Sequence, residues 1–280
     1  MTRVGFIGAG KVGVALGSYL NSRGCGISGY YDRLDAMAVA AAEVTASTSF
    51  TTIEQLVAAS EVVFITVPDD VISVVWRQCR RLPVEGKCFF HCSGALGSSV
   101  FTGHAEAGVH VGSAHPVCAV SSHATGEVFS GKFFVLEGDP TGIEMLKSLM
   151  KITGNDYRVV GHADKARSHA ATVAASNLCC ALARMSEDWL LSCGFDKETA
   201  HELIAPLMKG NIDNIAQKGC VDALTGPVER NDVGTVTKHL SLLEGNDHEI
   251  YRLLSLRLLP MAEQKHPDND YTNLKEVLQR

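Results

Sequence analysis

The N-terminus sets the tightest limit on what this chain can fold into. A short apolar run, Arg3 to Ile7, leads straight into Gly8-Ala9-Gly10-Lys11-Val12-Gly13, and Val12 to Leu20 then reads as a helix. A bare G-x-G-x-x-G string is common. Placed between a strand and a helix at the head of a βαβ unit, it is the dinucleotide fingerprint. Gly8 permits the tight turn, Gly10 lets the backbone approach a pyrophosphate, and Gly13 lets the helix pack close to the sheet. The helix N-terminus offers unpaired N–H groups and a positive dipole end to the phosphates. Ala9, Lys11 and Val12 complete the predicted cofactor loop. The second strand, Gly26 to Tyr31, ends at Asp32-Arg33, 24 residues after Gly8, where ribose recognition belongs. A carboxylate there accepts from a 2′-OH and favours NAD, whereas an arginine pairs with a 2′-phosphate and favours NADP. Both residues are present, so NADP and NAD stay open.

The alternation continues. Strand-type runs recur at Glu61 to Val67, Lys87 to Cys92, Val109 to Ser113, Lys132 to Leu136 and Asp156 to Val160. Helix-type segments lie between them: Leu34 to Val44, Thr51 or Thr52 to Ala59, Asp69 to Arg81, and Thr141 to Ile152. This predicts an α/β Rossmann domain with a doubly wound, mostly parallel sheet. Carboxyl ends of strands line the crevice of such sheets. Val67 and Pro68 are therefore expected near the cofactor ribose, and Ser93 and Gly94 near the nicotinamide. After Gly161 the strand-like runs stop. Ala163 to Leu191 reads as one long apolar helix, followed by Lys197 to Ala216 with a candidate break at Pro206, then Asp232 to Leu243 and Asp247 to Glu263. The expected organisation is a dinucleotide-binding domain over 1–161 and an all-α substrate and dimerisation domain over 162–280.

Composition narrows the partners. The net charge is −6 and the basic residues are scattered, so nothing advertises nucleic acid or an anionic membrane. No run approaches the ~20 apolar residues of a membrane span, and the first strand leaves no room for a signal peptide; a cytoplasmic location is expected. The nine cysteines follow no disulfide framework or zinc-knuckle spacing. His91-Cys92 sits in an apolar strand-like run, and no metal is expected.

Four stretches carry a wider resemblance: GFIGAGKVG (5–13), HCSGALG (91–97), GSAHP (112–116) and LTGPVERNDVGTVTKHL (224–240). With them the chain resembles the Rossmann-like oxidoreductases related to pyrroline-5-carboxylate reductase, ketopantoate reductase and the β-hydroxyacid dehydrogenases. It is more closely similar to a branch whose helical C-terminal half is a domain of unknown function. The resemblance implies an eight-stranded Rossmann domain, a helical C-terminal domain, a nicotinamide cofactor and a homodimer built through the helices. It implies no substrate. The Gly-Ser-Gly-Pro substrate loop of those relatives is missing near Ala175-Ser176-Asn177, which argues against a pyrroline-5-carboxylate reductase.

Hydride transfer asks the protein for placement and for a proton donor or acceptor. At ~100° per residue, Lys165, His169, Thr172 and Ser176 fall on one stripe of the long helix, with Asn177 on its flank. A helix apolar nearly all round is normally buried, so this stripe is expected to face a cleft. His169 is the leading proton donor, Lys165 a carboxylate or cofactor contact, and Asn177 a substrate-orienting group. Lys165 also resembles the helical-domain lysine of ketopantoate-type reductases. His115, before a Ser-rich loop, either faces the nicotinamide or holds that loop. Arg230, ahead of a helix capped by Asn231 or Asp232, is suited to a substrate carboxylate; in the relatives such helices complete the partner's site. The leading function is an NAD(P)-dependent oxidoreductase acting on a small keto or imino carboxylate. The alternative is a non-catalytic dinucleotide-binding sensor or partner-binding module.

Overall fold

The computed structural model describes residues 2–120 and 126–280, and the chain divides into two compact units, Met1–Ala175 and Ser176–Arg280. The expected division at 161/162 differs from this one by a single helix, which goes with the first unit.

The first unit runs β1 (Arg3–Ile7), α1 (Lys11–Ser22), β2 (Gly26–Tyr31), α2 (Asp35–Thr45), β3 (Thr48–Ser49), α3 (Ile53–Ala59), β4 (Val62–Ile65), α4 (Asp69–Cys79), β5 (Cys88–His91), β6 (His110–Pro116), β7 (Phe134–Gly138), α5 (Pro140–Thr153), β8 (Tyr157–Val159) and α6 (His162–Ala174). The eight strands form one sheet in the order β3-β2-β1-β4-β5-β6-β7-β8. All neighbours pair in parallel except β6 and β7, which are antiparallel. The central strands are apolar on both faces because helices cover both. Phe6, Tyr30, Phe64, Phe90 and Leu136 feed one core, and Ile7, Val63, Ile65, Phe89 and Val111 the other. Aromatic stacking runs across the first core, with Phe6 5.2 Å from Tyr30 and 5.6 Å from Phe64. In the second, Trp76 meets Phe89 and Phe101 edge-on. Asp139 caps α5 through the Gly142 N–H, with Pro140 in the first turn and Gly154 closing the far end at φ 73°.

The second unit is helical: α7 (Asn177–Ser192), α8 (Lys197–Ala223), α9 (Val233–Leu242), α10 (Gly245–Lys265) and α11 (Thr272–Gln279). Its core, Leu224, Val228, Val236, Leu240, Leu259, Tyr271, Leu274 and Leu278, belongs to the last three helices and the turn before them. That turn is stitched to the end of α10. Glu229 takes a 2.6 Å hydrogen bond from His266, and Lys265 donates to the Leu224 carbonyl.

Several expectations need correction. The single helix over Ala163 to Leu191 is two helices, α6 and α7, separated at Ala175-Ser176. Burial within α6 is inverted: its alanines are exposed or partly so, and its one buried residue is Lys165. Pro206 does not end α8; a proline removes one backbone bond while the flanking turns persist. The interruption falls instead at Gly219, where φ is 79°. His115 and Pro116, expected just after a strand ending at Ser113, are the last two residues of β6. Part of the Ser-rich stretch after them, residues 121–125, lies outside the described residues. The two-residue β3 and the C-terminal α11 were not foreseen.

Candidate functional site

The glycines of the first turn play three distinct roles. Gly8 sits at φ +104°, and a Cβ there would come 2.9 Å from the Thr66 backbone. A Cβ on Gly13 would come 2.3 Å from the Gly8 carbonyl and 2.5 Å from Thr66 Oγ1, so this residue is packed against the end of β4. Thr66 Oγ1 also donates to the Gly8 carbonyl at 2.7 Å. In front of Gly10, by contrast, there is nothing within 4 Å. Gly10 is the N-cap of α1 and supplies no side-chain hydrogen bond, so the helix terminus stays open to an anion. Lys11 is exposed and Val12 partly buried beside it, while Ala9 is fully buried.

Asp32 does something the sequence did not suggest. Its Oδ2 accepts from the Ala9 N–H at 2.8 Å and its Oδ1 from the Leu34 N–H at 3.0 Å, so the carboxylate ties the glycine loop to the end of β2. The next residue, Arg33, is exposed and has no ion pair among the described residues. Gly8, Gly10, Asp32, Arg33, Val67 and Pro68 line one cleft of about 560 Å³ with Tyr31, Leu34, Met37 and Asp70. A pyrophosphate fits the open helix end and an adenosine the apolar flank, so the residues present suit a dinucleotide.

Asp69 links this cleft to a second polar cluster, because it lies between the cleft-lining Pro68 and Asp70 and takes a 2.6 Å hydrogen bond from Ser93 Oγ. Ser93 Oγ also accepts from the Leu96 N–H, so its only proton is already given to Asp69. The loop after β5 is further held by His91, whose Nδ1 accepts from the Ser93 N–H at 3.2 Å. That bond places the ring proton on Nε2, which donates to the Gly97 carbonyl at 3.3 Å. Burial pulls His91 down to about 4, so it is neutral.

Gly94, next in the loop, packs directly on the His169 ring: a Cβ would lie 2.2 Å from His169 Nδ1. His115 meets His169 edge-on with ring centroids 5.2 Å apart. Burial, reinforced by the positive charge of Lys165, lowers His115 to about 4. Lys165, one turn before His169 on α6, is 1% exposed. Burial lowers its amine to about 8, although the charges of Glu137 and Asp69 pull the other way. Neither Lys165 Nζ nor His169 Nδ1 has a hydrogen-bond partner. Four predicted residues, Gly94, His115, Lys165 and His169, are thus brought together in the first unit.

Reasoning from sequence missed the row beneath them. His91 is in register with Ser113, and Ser113 with Glu137, so a polar row crosses β5, β6 and β7 on one face. Glu137 is buried; it accepts from the Ser98 N–H at 2.6 Å, from Ser98 Oγ at 2.8 Å and from His162 Nδ1 at 3.4 Å. The available signal was an acidic residue inside the apolar run Phe133 to Gly138.

The remaining predicted residues lie in the second unit. Asn177 is exposed at the start of α7, with Oδ1 accepting from Ser176 Oγ. With α6 ending at Ala174, no continuous stripe joins Asn177 to Lys165. Arg230 is exposed and has no ion pair among the described residues. Asp232 caps α9 through the Thr235 N–H. Among the described residues no group of three His, Cys, Asp or Glu could hold a metal ion, and no helix is long and apolar enough to cross a membrane.

These features agree with what comparison finds. Residues 1–116 match the Rossmann-like domain family, and residues 132–258 match a domain of unknown function, DUF2520. The chain joins a Rossmann-like domain to a DUF2520 domain. Among solved structures it is similar to protein TM1727 from Thermotoga maritima, at 28% identity over 94% of this chain and 99% of the other, with a TM-score of 0.77. It is also similar to the provisional NADP oxidoreductase BF3122 from Bacteroides fragilis (20% identity, 92% and 98% covered, TM-score 0.69). A third is pyrroline carboxylate reductase from Plasmodium falciparum, solved with NADP bound (14% identity, 93% and 98% covered, TM-score 0.56). At the last two identities the likeness is one of fold. A search of the curated proteins gives no match.

Proposed function

We propose that the protein is an NAD(P)-dependent oxidoreductase of a small keto or imino carboxylate, with NADP the preferred cofactor. The observation that carries this reading is the pair of buried polar atoms without partners, Lys165 Nζ and His169 Nδ1, the second of them packed against Gly94. A buried unsatisfied polar group costs about 1–3 kcal/mol. Two on successive turns of one helix, near a dinucleotide-shaped cleft, await a ligand. A sensor would have no use for them, so the catalytic reading is favoured over the non-catalytic one.

When bound, the nicotinamide supplies or accepts the hydride. The chain's own residues do the rest. Gly8, Gly10 and Gly13 admit the pyrophosphate to the end of α1, and Val67 and Pro68 flank the ribose. Lys165, as the ammonium, gives a proton to the carbonyl oxygen or imine nitrogen of the substrate as it is reduced. His169 offers a hydrogen bond to the same atom, and the neutral His115 ring fixes the His169 plane. Ser93 and Asp69 hold the loop so that Gly94 leaves room for that ring. In the second unit, Arg230 is exposed and has no ion pair among the described residues, and a guanidinium of that kind suits a carboxylate.

The NADP preference rests on Asp32, whose oxygens both serve backbone N–H groups, and on the free guanidinium of Arg33. Calorimetric titration should give micromolar NADPH binding that Arg33→Ala weakens by about 10- to 100-fold, with NADH little changed. The cofactor would then enter a turnover screen of keto and imino acids. Absence of binding by either nucleotide at millimolar levels would remove the proposal.

A cytoplasmic homodimer belongs to the same reading. α7 buries no residue and α8 only Ala200, while Leu178, Leu207 and Ile212 are each more than half exposed. Apolar faces of this kind normally mark an association surface. Light scattering that gives a monomer at every concentration would exclude the dimer.

A further inference from the structure

Lys165 can donate a proton only if it carries one, and its surroundings work against that. The amine is buried and has no hydrogen-bond partner. Burial alone favours the neutral form of a lysine. The groups facing it from neighbouring elements are His91 of β5, Cys92 after it, His115 of β6, Asp69 of α4, Glu137 of β7 and His169 of its own helix. The histidines His91 and His115 are neutral, Asp69 is engaged by Ser93, and Cys92 stays a thiol. Two carboxylates remain, Glu137 and Asp69, and Glu137 is the larger opposing charge.

Glu137 is also held firmly in place. Three donors converge on its carboxylate: the Ser98 N–H, Ser98 Oγ and His162 Nδ1. Gly97 has no Cβ, and one there would lie 2.6 Å from His162 Nδ1 and 3.3 Å from Glu137 Oε2. His162 and Lys165 stand three residues apart on α6, hence on one face of that helix. The helix therefore brings His162 onto the carboxylate and turns the Lys165 amine to the same side.

The geometry points to Glu137 as a positioning residue that keeps the Lys165 amine cationic inside the site, with Ser98 and His162 fixing the carboxylate that does so. This rests on the reading of Lys165 as proton donor, but its test does not need turnover. In protein carrying 13C-labelled lysine, the Cε signal of Lys165, assigned by its loss in Lys165→Met, follows protonation directly. Its midpoint should lie near 8 in the native protein and fall by about one pH unit or more in Glu137→Gln, with Glu137→Asp returning part of the way. An unchanged midpoint in a folded Glu137→Gln overturns the proposal.

A second measurement leaves Glu137 intact. In Ser98→Ala, which removes the hydroxyl that holds the carboxylate, the Lys165 midpoint should also fall. No displacement there overturns the proposal even if Glu137→Gln fails to fold. Should the midpoints move as expected while Lys165→Met keeps full turnover, the charge pairing stands and the donor role of Lys165 falls.

Discussion

Replacing Lys165 by methionine should make the protein more stable and less active. The side chain is 1% exposed, and its amine titrates at about 8 where an ordinary lysine titrates at 10.5. That difference is worth about 3 kcal/mol, and it already includes the attraction of Glu137 and Asp69 for the ammonium. The sign follows from linkage. The folded amine has the lower proton affinity, so the unfolded chain binds more protons between pH 8 and 10.5, and stability rises with pH through that window. Below pH 8 the whole cost is present. Methionine has similar length and no charge, so at pH 7 it should recover up to about 3 kcal/mol, or about 6–12 °C in Tm for a unit of this size. At pH 10.5 most of that gain should be gone. Urea unfolding at both pH values, followed by Trp76 fluorescence in a Trp189→Phe background, reads the first unit separately. A variant less stable than the parent at pH 7, or a gain independent of pH, would refute the reasoning. NADPH binding should survive and turnover should not.

Other outcomes follow from the same geometry. Gly13→Ala forces a methyl within 2.3 Å of the Gly8 carbonyl and should cost about 1–3 kcal/mol of stability along with nucleotide binding. Gly10→Ala puts its methyl into open space; it should leave unfolding within about 0.5 kcal/mol of the parent while weakening NADPH about tenfold or more in calorimetry. His91 is neutral when folded, with its affinity for a proton lowered from 6.5 to about 4. The stability it contributes is present above pH 6.5 and is lost as pH falls towards 4, by about 3 kcal/mol. His91→Gln should flatten that part of the stability curve, and an unchanged slope would count against the burial argument.

Some of this was readable from the chain alone, and the physical reasons for the difference are specific. The glycine fingerprint and the alternating runs are local signals of high periodicity, and they gave the sheet, its flanking helices and the cleft. Lys165 and His169 were legible because four residues on a helix return to the same face. The break at Ala175-Ser176 was not, because alanine and serine carry no strong stop signal, and it separated Asn177 from that face. The pairing of Glu137 with Ser98 was invisible for another reason. The two are 39 residues apart, and only the antiparallel turn of β7 against β6 sets Glu137 beside Ser113. Asp32 was found, but its partners are backbone N–H groups, which every residue has and no sequence distinguishes.

The distribution of unsatisfied polar atoms binds these observations together. Among the described residues the buried side-chain atoms without partners are Tyr30 OH, Ser113 Oγ, Lys165 Nζ, His169 Nδ1 and Asn231 Oδ1. Three of them belong to one small region, the polar row across β5–β7 and the helix above it. At about 1–3 kcal/mol each, such a concentration is a substantial fraction of the stability of a domain. Folding gains nothing from it. α6 states the same point in another form, since its alanines face out and its lysine faces in. A helix arranged for stability would do the reverse. The groups are held where a substrate would satisfy them, so binding should relieve the cost that folding leaves in place. A substrate that engages Lys165 and His169 should therefore raise the Tm of the native protein beyond what NADPH alone achieves, and should add nothing in Lys165→Met carrying His169→Phe.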